Sequence, residues 1–178
     1  MKETVNPFDY SSQFLAQLRS GVLLATKADG KANIMTIGWG FLGIDWSAPV
    51  FMTLVRIGRY TRELLDKNPE FAICAPMGEF DKKILAIAGT KSGRDMDKIA
   101  ALNLTLEPGE KISVPAIREL PLTLECKVIY RQAQDLEAIP PNLRETFYPA
   151  HVDSSNPRAN RDYHIAYYGE IVAAYILK

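Results

Sequence analysis

Three arginines and a threonine are concentrated in the segment Val55-Arg56-Ile57-Gly58-Arg59-Tyr60-Thr61-Arg62. The surrounding pattern predicts that a strand ends near Val55 and that a helix begins near Arg59. A helix N-terminus exposes unpaired backbone N–H groups and a partial positive charge, and a guanidinium group binds phosphate oxygens in pairs. Arg56, Arg59 and Thr61 therefore suit a phosphate monoester, although a solvated, charged helix start explains the same spacing equally well.

A second polar group follows in the segment Lys91-Ser92-Gly93-Arg94-Asp95-Met96-Asp97-Lys98. Glycine and serine before a helix start can hold an anion, and Asp95 is suited to be the N-cap of a short helix. Ser92 and Lys98 are the candidate ligands in this segment. From the spacing alone, an ordinary capped turn with balanced charge is the better explanation.

The segment Asn33-Ile34-Met35-Thr36-Ile37-Gly38-Trp39-Gly40 reads as a strand that enters a glycine-containing turn. Small residues in a strand allow another molecule to approach the backbone closely. Trp39, and Trp46 further along, provide flat apolar rings with a polar N–H at the edge. Taken singly, each tryptophan is more often a core residue than the wall of a ligand site.

Other chemical motifs are weaker. The segment 38–43 matches the dinucleotide pattern G-x-G-x-x-G, but Pro49 and the strand pattern after it remove the helix that this motif requires. His151 and His164 lie far apart, and a metal site needs three or four ligands. His164 lies in a strand pattern, so a packed or hydrogen-bonded histidine is the default interpretation.

The composition predicts one globular domain spanning residues 1–178, with 47% hydrophobic and 24% charged residues. Lys and Arg together number 21, as do Asp and Glu, so no broad field favours nucleic acid or an anionic membrane. The longest apolar run, 49–55, is too short to span a bilayer. A cytoplasmic location follows from the lack of a signal pattern. Cys74 and Cys126 lie in apolar strand patterns, which favours buried thiols over a disulfide.

The predicted elements are mainly β-strands with small helices between them. Alternation is clearest from Leu122 to Tyr130, and Gly169 indicates a bulge in the last strand. The remaining strands are predicted at 21–27, 31–40, 49–55, 71–75 and 163–177, and helices at 7–20, 59–67, 80–88 and after Asp95. The segment 131–161 has little periodicity and is predicted to be a long surface excursion. This order favours a closed antiparallel barrel of about six strands over an alternating βαβ fold.

Together these segments resemble the flavin reductase-like family, the FMN-binding split barrels that include flavoredoxin. The resemblance covers about residues 8–176. Each carrier is weak alone, but their order and spacing together are fairly specific. The carriers are N33-x-M-T-x-G-W-G40, W46-x-x-P49, V55-R-x-x-R-Y-T61, G89-x-x-S-G-R-D-x-D-K98, E125-C-K127 and the strand from His164 through Tyr168-Gly169-Glu170-Ile171-Val172.

The resemblance implies a homodimer of six-stranded Greek-key barrels with FMN near the subunit interface. It implies that the isoalloxazine ring is lined by the segment from Thr36 to Trp39 and by the backbone around Val55 and Arg56, and Met35 is a further cofactor-binding candidate. It also implies that the phosphate is held by Arg59 and Thr61, with help from Ser92 and Lys98.

The leading functional hypothesis is a flavin-dependent oxidoreductase in which NAD(P)H gives hydride to the flavin and an acceptor takes the electrons. The acceptor is left open among free flavin, a ferric complex and a partner protein. Because the cofactor supplies the redox chemistry, the lack of a catalytic acid–base constellation is expected. The alternatives are an electron carrier that a partner protein reduces and a non-enzymatic split-barrel binding module.

Overall fold

The computed structural model describes residues 1–151 and 162–178, and within them one antiparallel sheet of eight strands dominates the fold. These strands are β1 (Lys2–Thr4), β2 (Val22–Ala28), β3 (Lys31–Ile37), β4 (Gly40–Asp45), β5 (Ala48–Arg56), β6 (Glu70–Ala75), β9 (Leu122–Ala133) and β10 (His164–Leu177). A separate two-stranded ribbon consists of β7 (Leu106–Glu107) and β8 (Ala116–Ile117). The spatial order is β3-β2-β6-β9-β10-β5-β4, and β1 pairs with β10. The expected mainly-β antiparallel fold is confirmed, but the expected closure of the barrel is wrong, because β3 and β4 at the two ends of this order do not pair with each other.

The ribbon of β7 and β8 is not predicted, and the main sheet has two strands more than the expected six. One is the short β1, and the other is β4, which the sequence interpretation placed in a turn. Gly40 and Gly43 lower the strand propensity of this segment. The turn lies later, at Trp46 and Ser47, where φ is 47° and 60°. Positive φ at both central residues matches the twist of a two-residue hairpin, so β4 folds back onto β5.

The core consists of two clusters of buried apolar side chains, one around Phe51 and Tyr167 and one around Leu23 and Tyr175. The strand predicted from Leu122 to Tyr130 is confirmed as the first part of β9, but residues 122–126 are all buried instead of alternating. The predicted bulge is also confirmed, since the β9–β10 register shifts between Tyr168 and Gly169. Glycine is required there because a Cβ would lie 2.4 Å from Phe71 Cζ. Cys74 and Cys126 are free and buried, as expected.

The helices are α1 (Ser11–Leu18), α2 (Tyr60–Lys67), α3 (Lys83–Thr90), α4 (Lys98–Ala101) and α5 (Pro141–Phe147). The prediction for α2 is confirmed within one residue, whereas the end of α3 at Gly89 was wrong. Gly89 lies inside α3, where its missing side chain lets the helix approach Thr36. Asp95 was also the wrong cap, because the Asp97 carboxylate accepts hydrogen bonds from the first N–H groups of α4.

The segment predicted as a surface excursion begins later than expected, because β9 continues to Ala133. It contains a 3-10 turn, Leu136–Ala138, and α5. Its part from 152 to 161, including Pro157, lies outside the described residues. In the ranges 1–151 and 162–178, no helix has the length and apolar character needed to traverse a bilayer.

Candidate functional site

Two adjoining clefts lie where β3 meets the start of α2 and the end of β5. The first, here called the cationic cleft, has a volume of about 120 Å³ and is bounded by β3, α2, α3 and the segment 91–98. The second, here called the indole cleft, has a volume of about 190 Å³ and is bounded by β3, Trp39, Arg56 and His164. Met35, Thr36 and Arg59 line both clefts, so one ligand can extend from one cleft into the other.

The N-terminus of α2 opens into the cationic cleft. Arg59 is the N-cap residue in an extended conformation, and no side chain caps the first turn. The N–H groups of this turn have no intrahelical acceptor, so they favour an anion. Thr61 lies in this turn and is only 2% exposed. Its Oγ1 accepts a hydrogen bond of 3.0 Å from Asn33 Nδ2, which fixes the hydroxyl and leaves its own proton for a second partner.

Lys98 is a buried cation at the floor of the cationic cleft. Its Nζ donates to the carbonyls of Ala88 at 3.2 Å and Lys91 at 3.1 Å, where α3 ends. Burial, and to a smaller extent the charge of Arg59, lowers the pKa of Lys98 to about 8. Lys98 forms no salt bridge with any carboxylate among the described residues. A buried ammonium group with only carbonyl partners and a neighbouring arginine is suited to bind an anion.

The loop from Ser92 to Arg94 closes the cationic cleft over Asn33. A Cβ at Gly93 would lie 2.1 Å from Asn33 Oδ1, so only glycine allows the loop to pack here. Ser92 Oγ accepts from the Arg94 backbone N–H at 3.2 Å, and the Arg94 guanidinium pairs with Glu63. This pair lowers the pKa of Glu63, chiefly through the hydrogen bond with Arg94.

Trp39 forms the aromatic wall of the indole cleft. Its ring centroid lies 4.9 Å from that of His164 and 5.3 Å from that of Phe147 in an edge-on contact. The indole is 39% exposed, which leaves ring surface available to a planar ligand. A tryptophan taken singly is more often a core residue, but Trp39 is not one.

Arg56 connects the indole cleft to the chain around α5. Its Nη1 donates to Asp162 O at 2.6 Å and its Nη2 donates to Phe147 O at 3.1 Å. Its guanidinium carbon also lies 5.1 Å from the centre of the Tyr148 ring. Burial, the largest effect, lowers the pKa of Arg56. These contacts hold the guanidinium at the edge of the cleft.

Eight of the nine residues that sequence analysis singled out line the two clefts. They are Met35, Thr36, Trp39, Arg56, Arg59, Thr61, Ser92 and Lys98. The ninth, Val55, has a fully buried side chain in the main core, so only its backbone can face a ligand. Thr36 is held in place by a 2.6 Å hydrogen bond from its Oγ1 to Leu85 O.

Several further residues that line these clefts are not among the predicted site residues, and the polar ones include Asn33, Arg94 and His164. A polar amide inside an apolar strand was the available signal for Asn33. Arg94 was present in the second polar segment, but its spacing resembled a simple capped turn. His164 was interpreted as a packed, hydrogen-bonded histidine; that is confirmed by its 6% exposure and its bond to Tyr148, but it also borders the indole cleft.

Comparison with known proteins agrees with this fold. An uncharacterized protein of Archaeoglobus fulgidus is 32% identical over 127 residues, which are 71% of this chain and 67% of that protein. Flavoredoxin from Methanosarcina acetivorans superposes with a TM-score of 0.63 at 24% identity, covering 89% of this chain and 68% of that chain. Nitrilotriacetate monooxygenase component B from Bacillus cereus gives 0.64 at 14% identity, covering 98% and 81%. Both superpositions show a shared fold.

The family assignment comes from the sequence itself. A sequence profile described as "Flavin reductase like domain" matches residues 15–177. This range contains both clefts and every strand of the main sheet except β1. The chain therefore belongs to the flavin reductase-like family.

Proposed function

We propose that this chain binds FMN across the two clefts and is a flavin-dependent oxidoreductase with NAD(P)H as its electron donor. The observation that carries the proposal is the junction of a cationic cleft with an aromatic-walled cleft through Met35, Thr36 and Arg59. A phosphorylated planar molecule needs both environments next to each other, and the three shared lining residues place them so.

The cationic cleft fits a phosphate monoester. Arg59, Lys98 and the Thr61 hydroxyl converge there with the open N-terminus of α2. Ser92 lies in the loop that Gly93 allows to close against Asn33. Charge-assisted hydrogen bonds from such groups are stronger than neutral ones, so this cleft would hold the phosphate end of FMN.

The indole cleft fits the ring system of FMN. Trp39 offers exposed aromatic surface, and Met35 and Thr36 line the side shared with the cationic cleft. The backbone at Val55 and Arg56 contributes the β5 side. When bound, FMN would supply hydride and electron transfer, while the protein residues bind the ring and exclude water. Arg56 would stabilise negative charge on the ring from the cleft edge.

An electron carrier is the second candidate, because flavoredoxin from Methanosarcina acetivorans shares this fold. In that case FMN would be reduced by a partner protein, and NAD(P)H would not react. The third candidate, a binding module without flavin, is disfavoured by the cationic cleft. The identity of the electron acceptor, a small molecule or a protein, and the cytoplasmic location stay predictions.

A homodimer is the proposed assembly, with FMN near the subunit interface. The hairpin of β4 and β5 exposes Phe41, Ile44 and Trp46, which are 62%, 72% and 63% accessible. Trp46 also packs edge-on against Tyr130, with ring centroids 6.0 Å apart. Phe41 and Ile44 line one surface groove together with Tyr168, and an exposed apolar patch is typical of an interface. Sedimentation velocity on the purified protein should give twice the chain mass, and a single-chain mass would contradict the assembly.

The test of function is a flavin titration followed by anaerobic reduction. Adding FMN to the apoprotein should quench flavin fluorescence and shift the visible absorption, whereas unchanged spectra would refute flavin binding. NADH or NADPH should then bleach the bound flavin. If the bound flavin stays yellow with either nucleotide but bleaches with dithionite, the electron carrier is the correct function.

A further inference from the structure

A hydrogen-bonded chain of three side chains lies behind the indole cleft. His164 begins β10, Gln134 follows the end of β9, and Tyr148 follows α5. Gln134 Oε1 accepts from the His164 backbone N–H at 3.3 Å and from the Tyr148 hydroxyl at 2.7 Å. The Tyr148 oxygen in turn lies 2.8 Å from His164 Nδ1.

The backbone N–H of His164 determines which atom donates the proton in each of these hydrogen bonds. A backbone N–H can only donate, so the Gln134 atom facing His164 N must be the carbonyl oxygen. This oxygen can only accept, and the single proton of the Tyr148 hydroxyl is therefore used on it. The Tyr148 oxygen must then accept from His164, which requires a proton on Nδ1.

The ring of His164 is neutral, so the second nitrogen carries a lone pair. Burial is the largest effect that lowers the pKa of His164, to about 3, and the positive charges of Arg56 and Arg59 act in the same direction. The side chain borders the indole cleft and its ring lies against Trp39. Within the described residues, Nε2 makes no hydrogen bond.

We infer that Gln134 and Tyr148 are positioning residues that lock His164 in the Nδ1–H tautomer, so that Nε2 is a hydrogen-bond acceptor for a ligand in the indole cleft. The ligand group at this position is then an amide N–H or a hydroxyl, and not an anionic oxygen. The groups proposed to bind the phosphate, Lys98 and Thr61, line the neighbouring cationic cleft. This inference rests on the proposed function and extends it, because it names His164 as the residue that hydrogen-bonds to the non-phosphate part of the ligand.

The test is a long-range ¹H–¹⁵N correlation spectrum of the ¹⁵N-labelled apoprotein. The chain has two histidines, so a His151→Gln variant assigns the His164 signals. We expect a protonated Nδ1 and an unprotonated Nε2 that stay unchanged from pH 5 to pH 8. A protonated Nε2, a mixture of tautomers or a titration within this range would overturn the inference.

Variants of Gln134 and Tyr148, which form the hydrogen-bonded network with His164, provide the matched comparison. Gln134→Glu keeps an acceptor oxygen and should preserve the Nδ1–H tautomer. Gln134→Met removes the acceptor, and Tyr148→Phe removes the oxygen that Nδ1 contacts; both should populate the Nε2–H form. If these two variants fold and keep the wild-type spectrum, Gln134 and Tyr148 do not set the tautomer. Because the apoprotein is used, failure here leaves the proposed flavin binding untouched.

Discussion

If the chain binds FMN as proposed, the buried Lys98 should make the affinity for FMN depend on pH in a predictable direction. The pKa of Lys98 is lowered to about 8, first by burial and then by Arg59. A phosphate monoester is already a dianion at pH 7, because its second pKa is about 6. Raising the pH from 7 to 9 therefore removes the charge from the lysine and leaves the charge on the phosphate unchanged.

The magnitude follows from the titration of this one group. About nine-tenths of Lys98 is protonated at pH 7 and about one-tenth at pH 9. If the dianion binds only the protonated form, the Kd for FMN rises about tenfold over this range, or about 1.4 kcal/mol. The apoprotein should respond in the opposite way. Since folding lowers this pKa below its usual 10.5, the unfolded state binds more protons between pH 8 and 10.5, and stability rises with pH there.

The assay is fluorescence quenching of FMN at several pH values, with riboflavin as the ligand control. Riboflavin has the same ring but no phosphate, so its Kd should change much less between pH 7 and 9. A Lys98→Met variant should bind FMN more weakly at pH 7 and lose the pH dependence. Parallel pH dependence for FMN and riboflavin, or an unchanged slope in Lys98→Met, would refute the assignment of this lysine to the phosphate.

Three substitutions test other parts of the structure. Arg59→Ala should weaken FMN binding by about 1.5–3 kcal/mol if it makes a charge-assisted bond to phosphate, and an unchanged Kd from the same titration would remove it from the site. Gly93→Ala should lower the free energy of unfolding by about 1–3 kcal/mol, because its Cβ would lie 2.1 Å from Asn33 Oδ1. If urea denaturation gives the same free energy of unfolding for the variant and the wild type, the loop can move to accept the methyl group. Glu125 is fully buried and accepts hydrogen bonds from two backbone N–H groups and a tyrosine hydroxyl at 2.7 Å each. Glu125→Gln should therefore lower the free energy of unfolding by about 1–3 kcal/mol. The exposed control Glu137→Gln should leave it unchanged.

The sequence predicts the strands that alternate cleanly but not the hairpin that follows Trp39. Periodicity detects a residue pattern such as Leu122 to Tyr130, because apolar residues occupy every second position there. It misses β4, whose glycines weaken any local preference and whose pairing with β5 depends on the turn at Trp46. Such a turn uses positive φ at non-glycine residues, which local propensity disfavours.

The candidate site likewise contains residues that have a local sequence signature and residues that do not. The arginine and threonine at the start of α2 were recognised because a helix start has a local signature. Arg94 and His164 reach the clefts only through contacts between distant segments, with Glu63 in one case and with Tyr148 in the other. No local pattern carries that information. The resemblance to a family raised the ranking of Ser92 and Lys98, which their spacing alone did not.

Arg56 bonds to the carbonyls of Phe147 and Asp162, and so one side chain ties together two points that are distant in the sequence. The chain between these two carbonyls is anchored at both ends beside the indole cleft. Loss of the Arg56 side chain would therefore release the Phe147 and Asp162 carbonyls together, so a substitution at this one position would perturb two segments that border the indole cleft.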